Sequence, residues 1–469
     1  MAGIVVIGGG VVGLSAALML AGAGHEVTVL ERDDGVVPGS PEEAWRAWQR
    51  PGVAQFRQAH LLHAAGYRLL EEMLPDVARA LVQAGATSFD MLSTLPPFVA
   101  DRAPRAGDER FVTVTGRRAA IEYAVAATAD GRLDIRRGVA VTGLVTGPSA
   151  ARGVPQVTGI RTSDGGELGA DLVIDAMGRR SGLPGWLTGL GGQPLAEEAE
   201  DSGFAYYTRY FGSAAGQQPR FITGLLTPFG CFSLLTLPGD SGTWSVTIYI
   251  SSRDQALKEL RHPEKWTALV AACPLHAQLL DGEPLTDVLA MSGIVDRHRR
   301  LVVNGTPVVT GLVAVGDAAC CTNPSLGRGI TMGLLHAAGT VEVIGEHLGD
   351  PLALAAEHDR MTQARVTPWY RATVDFDRAR RAEMDAAIEG RPAPRPEGPA
   401  AALARALGTA MMYDADLYRA MMEVVAMQAL PREVFARPGF AGRVMAAAEG
   451  REAFVPPGPS RAELLGMLA

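Results

Sequence analysis

Two glycine-rich stretches hold the residue types whose spacing is best suited to chemistry. The first is Gly8-x-Gly10-x-x-Gly13, and the second is VAVGDAACCTNPSLGRG, which runs from 313 to 329. The second stretch places one carboxylate, Asp317, soon after an apolar run. Glycines let a backbone approach a ligand closely, and a helix that begins beside them directs its free N–H groups toward an anion. Both stretches therefore indicate ligand binding, and the first favours a ligand that carries phosphate.

The elements needed to position the first motif are predicted around it. GIVVI at 3–7 predicts a short buried strand, 14–23 an Ala- and Leu-rich helix, and EVTVLER a second strand, which together form a β-α-β unit. Glu31 ends that second strand, 18 residues after Gly13, where a carboxylate would accept hydrogen bonds from the ribose hydroxyls of an adenosine. This context predicts a bound dinucleotide and leaves an empty α/β turn as the weaker alternative.

The second stretch favours FAD over NAD. VAVGDAACCTNPSLGRG resembles the G-D motif of FAD-dependent monooxygenases similar to p-hydroxybenzoate hydroxylase. The resemblance implies that Asp317 binds a ribityl hydroxyl of FAD, and that Pro324, Gly327 and Gly329 shape a turn facing the flavin pyrimidine edge. A helix N-terminus at that turn would stabilise the negative charge of reduced flavin near N1. A purely structural role for Asp317 as a helix cap is the alternative.

Other segments extend the resemblance over most of residues 3–345. TGRRAAIEYAV resembles the family's R-x-x-L-E helix, which implies that Arg118 lies near the FAD phosphates, and DLVIDAMGRRS resembles the strand that closes the nucleotide domain. RPGVAQFRQAHLLHAAGYRLLEEMLP and EDSGFAYYTRYF resemble the branch that contains the bacterial polyether epoxidases, with squalene epoxidase a more distant relative. The first of these two segments is expected to pass near the flavin. The predicted FAD contacts also include Val12, Arg32, Val141 and Gly316.

Three departures from the family's patterns bear on the reaction. Met177-Gly178 stands where hydroxylases that use NAD(P)H directly usually have Asp-Gly, so the electron donor is left open between NAD(P)H itself and a partner flavin reductase. The turn contains Ser325-Leu326 and Arg328, which differ from the more usual epoxidase turn. No lysine precedes Lys258 and no W-x-W-x-I-P string occurs, which disfavours flavin-dependent halogenation.

The resemblance implies an FAD-dependent monooxygenase close in kind to the polyether epoxidases. Such an enzyme would insert one oxygen from O₂, by epoxidation or hydroxylation, into an apolar secondary-metabolite substrate through a C4a-hydroperoxyflavin. This chemistry belongs to the cofactor, so no catalytic side chain is assigned. The main alternative is an FAD-dependent dehydrogenase or reductase of the geranylgeranyl-reductase sort, which inserts no oxygen. A flavin-binding scaffold without turnover is the third hypothesis.

Composition limits the partners and the location. The formal net charge is −8 and the chain has only two lysines, so nucleic-acid binding is disfavoured. No uninterrupted apolar run approaches the roughly 20 residues of a membrane-spanning helix. The four cysteines show neither metal-ligand spacing nor a disulfide framework, so we expect no metal and a cytoplasmic location.

The predicted fold is α/β: a Rossmann-type FAD-binding domain, an inserted antiparallel substrate sheet and a helical C-terminal region. The FAD-binding domain is predicted over 1–90, 111–182 and 300–350, the substrate domain over 91–110 and 183–299, and the helical region over 351–469. Helices are predicted at 56–84 and 117–129. Strands are predicted at 133–145, 154–162, 170–178, 204–211, 231–237 and 243–250. The last of these alternates, with Trp244, Val246, Ile248 and Ile250 on one face, which predicts a half-exposed antiparallel strand.

The remaining candidates each carry a structural alternative. The substrate is predicted to meet Tyr206, Tyr207, Arg209 and Trp244, although packing within the strands would explain these residues equally well. His60 and His63 could relay protons or attach flavin covalently, but buried packing is the more common role. Vicinal Cys320-Cys321 could form a redox pair only with strained geometry, so small buried side chains at a crowded turn are favoured.

Overall fold

The chain combines a parallel sheet, an antiparallel sheet and a helical C-terminal region, and the computed structural model describes residues 1–53, 55–96, 98–213 and 215–469. Its helices are α1 (Val11–Gly22), α2 (Pro41–Ala47), α3 (Ala64–Met73), α4 (Pro75–Gln83), α5 (Arg118–Ala129), α6 (Leu183–Gly189), α7 (Pro263–Ala271), α8 (Gly329–His347), α9 (Pro351–Arg365), α10 (Thr367–Ile388), α11 (Pro399–Ala410), α12 (Ala415–Val425), α13 (Pro431–Phe435), α14 (Phe440–Ala448) and α15 (Arg461–Leu468). Its strands are β1 (Gly3–Ile7), β2 (Glu26–Glu31), β3 (Thr87–Asp90), β4 (Val112–Thr115), β5 (Asp134–Arg137), β6 (Val141–Ala151), β7 (Val154–Thr162), β8 (Glu167–Gly169), β9 (Leu172–Asp175), β10 (Ala196–Asp201), β11 (Phe204–Gly212), β12 (Leu226–Pro228), β13 (Phe232–Pro238), β14 (Thr243–Ser251), β15 (Glu283–Pro284), β16 (Leu289–Ser292), β17 (Val295–Arg300), β18 (Val302–Val303), β19 (Thr306–Pro307), β20 (Leu312–Ala314) and β21 (Cys320–Cys321).

The parallel sheet has the strand order β20-β9-β1-β2-β5, and every pair in it is parallel. Its central strands are short apolar runs because both faces of the sheet are covered: α1, α5 and α8 pack on one face, and the β6-β7-β8 sheet with α6 packs on the other. The predicted β-α-β unit is confirmed, with α1 beginning at Val11 rather than at 14. Parallel strands end at the same edge of a sheet, so the segments that follow β1, β2, β9 and β20 meet there. Both glycine-rich stretches lie at this edge.

The antiparallel sheet has the order β12-β13-β14-β11-β15, with β16 also paired to β11. The predicted strands at 204–211, 231–237 and 243–250 are confirmed as β11, β13 and β14. The alternation in β14 is also confirmed, since its apolar residues join one core cluster with side chains of α7 and α15. The predicted half-exposure is wrong, because all nine residues of β14 are buried.

The second face of β14 is covered by α10, which explains that error. Ser251, at the end of β14, donates a hydrogen bond to Asp385 of α10 (2.6 Å). Arg380 donates to Ser233 on the neighbouring strand (3.0 Å), and Met384 packs in one cluster with Tyr249. Polar residues therefore face a helix rather than water, a distinction that strand periodicity cannot make.

Two other features differ from the predicted pattern or extend it. The predicted helix at 56–84 is only partly correct, since α3 begins at Ala64 and the preceding residues follow an irregular path at the sheet edge. β6, β7 and β8 form a separate antiparallel sheet beside the parallel one. The division into domains stays a prediction.

Among the described residues no helix combines the length and apolar character needed to cross a membrane.

A buried ion pair joins the two large sheets. Arg117, just before α5, donates from Nη2 to Oδ2 of Asp240 (2.7 Å) and from its backbone N–H to Oδ1 (2.7 Å). Asp240 lies in the hairpin between β13 and β14 and is fully buried. Nη2 of Arg117 also donates to Glu42 of α2 (2.9 Å), and the guanidinium lies 4.8 Å from the centre of the Trp45 ring. This ion pair holds the β13–β14 hairpin of the antiparallel sheet against the start of α5 and against α2.

Replacing Asp240 with alanine should destabilise the fold. The change leaves the Arg117 guanidinium buried with one remaining carboxylate partner, and removing one member of a buried pair typically costs about 3–5 kcal/mol. We expect a clear fall in the urea concentration at the midpoint of unfolding, measured by circular dichroism. Asp164→Ala is the matched control, because that carboxylate lies in an exposed turn. Equal midpoints for the two variants would show that the pair is not a structural anchor.

Candidate cofactor site

A cavity of about 410 Å³ lies at the carboxyl edge of the parallel sheet. Both glycine-rich stretches line it, although about 300 residues separate them in the sequence. All of the predicted FAD contacts line it except Gly316, whose neighbours Val315 and Asp317 do; the lining members are Gly8, Gly10, Val12, Gly13, Glu31, Arg32, Arg118, Val141, Asp317, Pro324, Gly327 and Gly329. Ligand pockets of small molecules have volumes of this order. The structure thus brings the predicted residues into one concave site.

Glycine is required at each of the three positions of the first motif for a different structural reason. Gly8 has φ +111°, and a Cβ there would lie 2.5 Å from the carbonyl oxygen of Ala176. A Cβ at Gly13 would overlap the carbonyl oxygen of Gly8, so the third glycine allows α1 to pack against the strand turn. A Cβ at Gly10 would meet no protein atom within 4 Å. Gly10 therefore faces open cavity at the start of α1, which is the cradle that a pyrophosphate group requires.

Glu31 is held at the end of β2 by three hydrogen bonds. Its Oε2 accepts from the backbone N–H of Gly9 (2.9 Å) and from Nη2 of Arg50 (3.1 Å), and its Oε1 accepts from the N–H of Asp33 (2.9 Å). A carboxylate offers about four acceptor positions, so one on Oε1 stays available toward the cavity. This arrangement fits a ribose hydroxyl.

Arg50 is a site residue that the motif analysis missed. It lines the cavity with its side chain only 5% exposed, and its guanidinium lies 5.0 Å from the centre of the Trp48 ring. Nη2 also donates to the carbonyl of Gly9 (3.1 Å), so Arg50 ties the glycine turn to Glu31. The only sequence signal for it was the epoxidase-like segment that begins at residue 50 and was expected to pass near the flavin.

Asp317 lies in a short 3-10 turn after β20 and faces the cavity. Its carboxylate accepts no hydrogen bond from the described residues, whereas the turn is fixed by a bond from the Gly316 N–H to Nδ1 of His336 (3.3 Å). Burial raises the pKa of Asp317, and the charges of Arg118 and Arg179 oppose that rise. An unpartnered acceptor in a cavity wall fits a ligand rich in hydroxyls, as the ribityl chain is.

The second glycine-rich stretch leads into the N-terminus of α8. Pro324, Gly327 and Gly329 line the cavity, and Gly327 has φ +66°, a left-handed conformation that favours glycine. Because α8 is 19 residues long, its first N–H groups carry a substantial positive potential. The turn and helix therefore present donors to any acceptor bound at this end of the cavity.

Arg118 is placed between the cavity and a carboxylate. It lines the cavity at the start of α5, and its Nη2 donates to Oε1 of Glu122 one turn later (2.6 Å). Both side chains are nearly fully buried. The pair orients the guanidinium, which keeps donors for a ligand phosphate.

The two histidines are placed as packing residues. His60 lines the cavity, its Nδ1 lies 2.8 Å from the carbonyl of Gln58, and burial lowers its pKa to about 3. His63 is buried with Nε2 2.9 Å from the carbonyl of Leu326, and burial lowers its pKa to about 4. Both rings are neutral near pH 7, and His63 supports the turn beside Gly327 rather than a proton relay.

The vicinal cysteines form the short strand β21, which pairs with β17, and both are free thiols. Cys321 lines the cavity. Burial raises the pKa of both thiols well above the ordinary value, so neither is a thiolate near neutrality. This environment supports the packing role and opposes a redox pair.

Three of the four predicted substrate residues lie on the face of the antiparallel sheet that is turned away from the cavity. Tyr207 and Trp244 pack in the outer core with Trp266, and the Trp244 indole N–H donates to the carbonyl of Leu279 (2.8 Å). Arg209 donates to Thr267 of α7 (3.1 Å) on the same outer side. None of the three lines the cavity, because the apolar set of each strand faces the helices that cover the sheet.

Tyr206 points the other way and approaches the cavity wall. Its hydroxyl donates to Oδ1 of Asn323 (2.8 Å), the residue before Pro324. On the side of the antiparallel sheet, the apolar part of the cavity wall is supplied by Met291 of β16 and by Ile294. Other lining residues outside the predicted set include Val53, Gln58, Arg179, Arg180, Trp186 and Thr322.

Two sequence comparisons match part of this chain to known proteins. Residues 3–98 match the family model described as "FAD dependent oxidoreductase". Protein Rv3254 of Mycobacterium tuberculosis is 28% identical over 362 residues, which are 71% of this chain and 71% of that protein.

Two solved structures show the shared fold. PqsL of Pseudomonas aeruginosa, described as "a probable FAD-dependent monooxygenase", matches 83% of this chain and 99% of its own with a TM-score of 0.59 and 16% identity. The Diels-Alderase PyrE3 of pyrroindomycin biosynthesis matches 97% of this chain and 82% of its own with a TM-score of 0.55 and 17% identity. Residues 3–98 therefore match an FAD-dependent oxidoreductase family, and the chain shares its fold with these solved proteins.

Substitutions in the cavity wall should weaken FAD retention. Gly10→Val would fill the space of the pyrophosphate, and Asp317→Ala would remove a hydrogen-bond acceptor. We expect each substitution to raise the FAD dissociation constant at least about tenfold. The measurement is flavin fluorescence on titrating apoprotein with FAD. Gly22→Val is the matched control, since its added Cβ also meets no atom within 4 Å but lies at the exposed end of α1. Unchanged FAD affinity in both cavity variants would reject this placement.

Proposed function

We propose that this protein is an FAD-dependent monooxygenase that inserts one oxygen atom from O₂ into an apolar small molecule, by epoxidation or hydroxylation. The observation that carries the proposal is the cavity in which both glycine-rich stretches, an unpartnered Asp317 and the N-terminus of α8 converge. Bound FAD would supply the redox chemistry and the activation of O₂. The protein's own task is to bind FAD, orient the substrate and exclude water.

Each part of FAD has suitable partners along the cavity. The N–H groups at the start of α1, beside Gly10, would bind the pyrophosphate, with Arg118 as a charged partner. Glu31 would accept from the adenosine ribose, and Asp317 from the ribityl chain. The turn at Pro324 and the first N–H groups of α8 would face the pyrimidine edge and favour negative charge there.

The substrate is expected beside Met291, Ile294 and Pro324, at the end of the cavity toward the antiparallel sheet. These side chains are apolar, and a dry wall prevents wasteful loss of activated oxygen to water. Gln58 and Thr322 add polar groups that could orient a substrate hydroxyl or carbonyl. A largely apolar substrate with a few polar groups, as in secondary metabolism, fits this wall.

The comparisons supply limited support for the reaction type. PqsL has been solved with 2-aminobenzoylacetate bound, so the fold holds a small molecule in that protein. The epoxidase-like branch and a cytoplasmic location rest on the sequence resemblance and composition alone, and they stay part of the proposal. The main alternative is an FAD-dependent dehydrogenase or reductase of the geranylgeranyl-reductase sort, which inserts no oxygen. A cycloaddition is a further candidate, because the solved neighbour PyrE3 is described as a Diels-Alderase.

Oxygen insertion can be tested directly with ¹⁸O₂. Purified protein with FAD, a flavin reductase and NADPH should convert members of a panel of apolar alkenes and phenols to products that carry one labelled oxygen, measured by mass spectrometry. A reduced or desaturated product without label would support the reductase, an unlabelled isomer would support a cycloaddition, and the absence of any product would support the scaffold.

A bulky side chain at the end of the cavity where the substrate is expected should uncouple NADPH consumption from product formation. Ile294→Trp should raise the hydrogen peroxide formed per NADPH consumed, because it excludes substrate from the reacting position. Ile222→Trp, at a position 47% exposed, is the control.

Electron supply is predicted to be indirect. Met177 lines the cavity where directly reduced hydroxylases usually have aspartate, so we expect slow reduction by NADPH alone and faster turnover with a separate flavin reductase. Anaerobic stopped-flow mixing, followed by the loss of flavin absorbance, provides the measurement. Rapid reduction by NADPH that substrate accelerates would contradict this prediction.

A further inference from the structure

Buried side chains from three other elements hold the turn that leads into α8. The N–H of Asn323 donates to Asp296 of β17 (2.6 Å), and its Oδ1 accepts from the hydroxyl of Tyr206 of β11 (2.8 Å). Asp377 of α10 accepts from Nδ2 of Asn323 (3.0 Å) and from Oγ of Ser325 (2.6 Å). Each of these five residues, called here the turn cluster, is at most 3% exposed.

Within the cluster, Asp377 has a particular position relative to the cavity. Its two donors flank Pro324, which lines the cavity, so each carboxylate oxygen holds one side of the same turn. Asp377 lies on α10, in the C-terminal helical region, outside both glycine-rich stretches. The geometry thus connects the C-terminal region to the flavin-facing end of the site.

The charge of Asp377 is not neutralised by a contact ion pair. No cation among the described residues lies within 4 Å of its carboxylate, although it is buried. The neighbouring buried cation, Arg328, donates instead to Oγ1 of Thr373 (3.0 Å) and lies 5.1 Å from the centre of the Trp369 ring. The negative charge is therefore weakly screened behind the turn.

We propose that Asp377 is a positioning residue that fixes the conformation of the flavin-facing turn and lowers the reduction potential of the bound flavin. The inference rests on the proposed FAD site. Reduced flavin carries more negative charge than oxidised flavin, so a carboxylate behind the pyrimidine-facing turn opposes reduction. Loss of its two hydrogen bonds would also free Asn323 and Ser325 and loosen the turn.

The titration of Asp377 gives this role a signature. The charged and titratable groups that face it are Asp296 on β17, Tyr206 on β11, Tyr249 on β14 and Arg328 before α8. Burial raises the pKa of Asp377 to about 7, while the bonds to the turn and the charge of Arg328 oppose the rise. Below that pKa the side chain is neutral, and above it the side chain is charged. Its effect on the flavin should therefore be present above about pH 7 and fade below.

The test compares the reduction potentials of FAD-loaded wild type, Asp377→Asn and Asp385→Asn at pH 8.5 and pH 5.5, by dye-coupled reduction. Asparagine keeps the shape but not the charge, so Asp377→Asn should shift the potential to a more positive value at pH 8.5, with a smaller shift at pH 5.5. Asp385→Asn is the matched control, because this α10 carboxylate bonds Ser251 (2.6 Å) and Arg253 (2.9 Å), away from the turn. The control should match wild type.

Two further variants keep the test informative if Asp377→Asn is poorly folded. Ser325→Ala removes one donor to the carboxylate, which raises the pKa of Asp377 and should shift the potential in the same direction near pH 7.5. Asp377→Ala should raise the FAD dissociation constant about tenfold, as the loss of hydrogen bonds to a charged group implies.

The contrary outcomes are distinguishable. A potential for Asp377→Asn equal to that of Asp385→Asn at both pH values would overturn the inference, as would an equal shift at both values, since that would show a structural effect without charge. Wild-type protein that binds no FAD at all would reject the cofactor site itself and this inference with it.

Discussion

The close packing of α8 and of the turn after β20 against the Val12 side chain of α1 is the constraint on which the rest of this structure depends. A Cβ at Gly333 of α8 would overlap the side chain of Val12 on α1, and one at Gly316 would lie 3.1 Å from it. Only glycine at these positions lets α8 begin beside α1, with both N-termini at one edge of the parallel sheet. Two positive helix ends then share a cavity, which is an arrangement suited to a long ligand with a phosphate at one end and a polar ring at the other.

Burial determines how the acidic groups around that cavity behave. Glu31 accepts hydrogen bonds from Arg50 and from two backbone N–H groups. Asp317 has no protein partner among the described residues and Asp377 has only neutral ones, so desolvation raises the pKa of each. The acids that protein donors do not neutralise are those nearest the proposed flavin, where a ligand or a change in flavin charge would be felt.

In the antiparallel sheet, the alternation of apolar and polar residues predicts which side chains share a face but not what that face contacts. The alternation of β14 correctly separated Trp244 and Ile248 from Thr247 and Tyr249. It could not tell which set faces the cavity, because α7 and α15 cover the apolar face and α10 covers the polar one. On this side of the cavity the apolar wall comes from Met291 and Ile294, which carry no motif, and Tyr207, Arg209 and Trp244 do not line the cavity.

The sequence by itself determined the β-α-β unit and the glycine turn answered by Glu31, while the resemblance of its motifs to a known family implied FAD and the other cavity residues. Glycine spacing and a carboxylate at a strand end are local requirements of backbone geometry, so they can be recognised in the sequence without knowledge of the tertiary structure. Only the tertiary structure decided the roles of Arg50 and Asp377, since each acts on residues that are 19 or more positions away in the sequence. Such contacts depend on which helix packs over which turn, and packing of this kind is set by burial of the whole chain rather than by any short pattern.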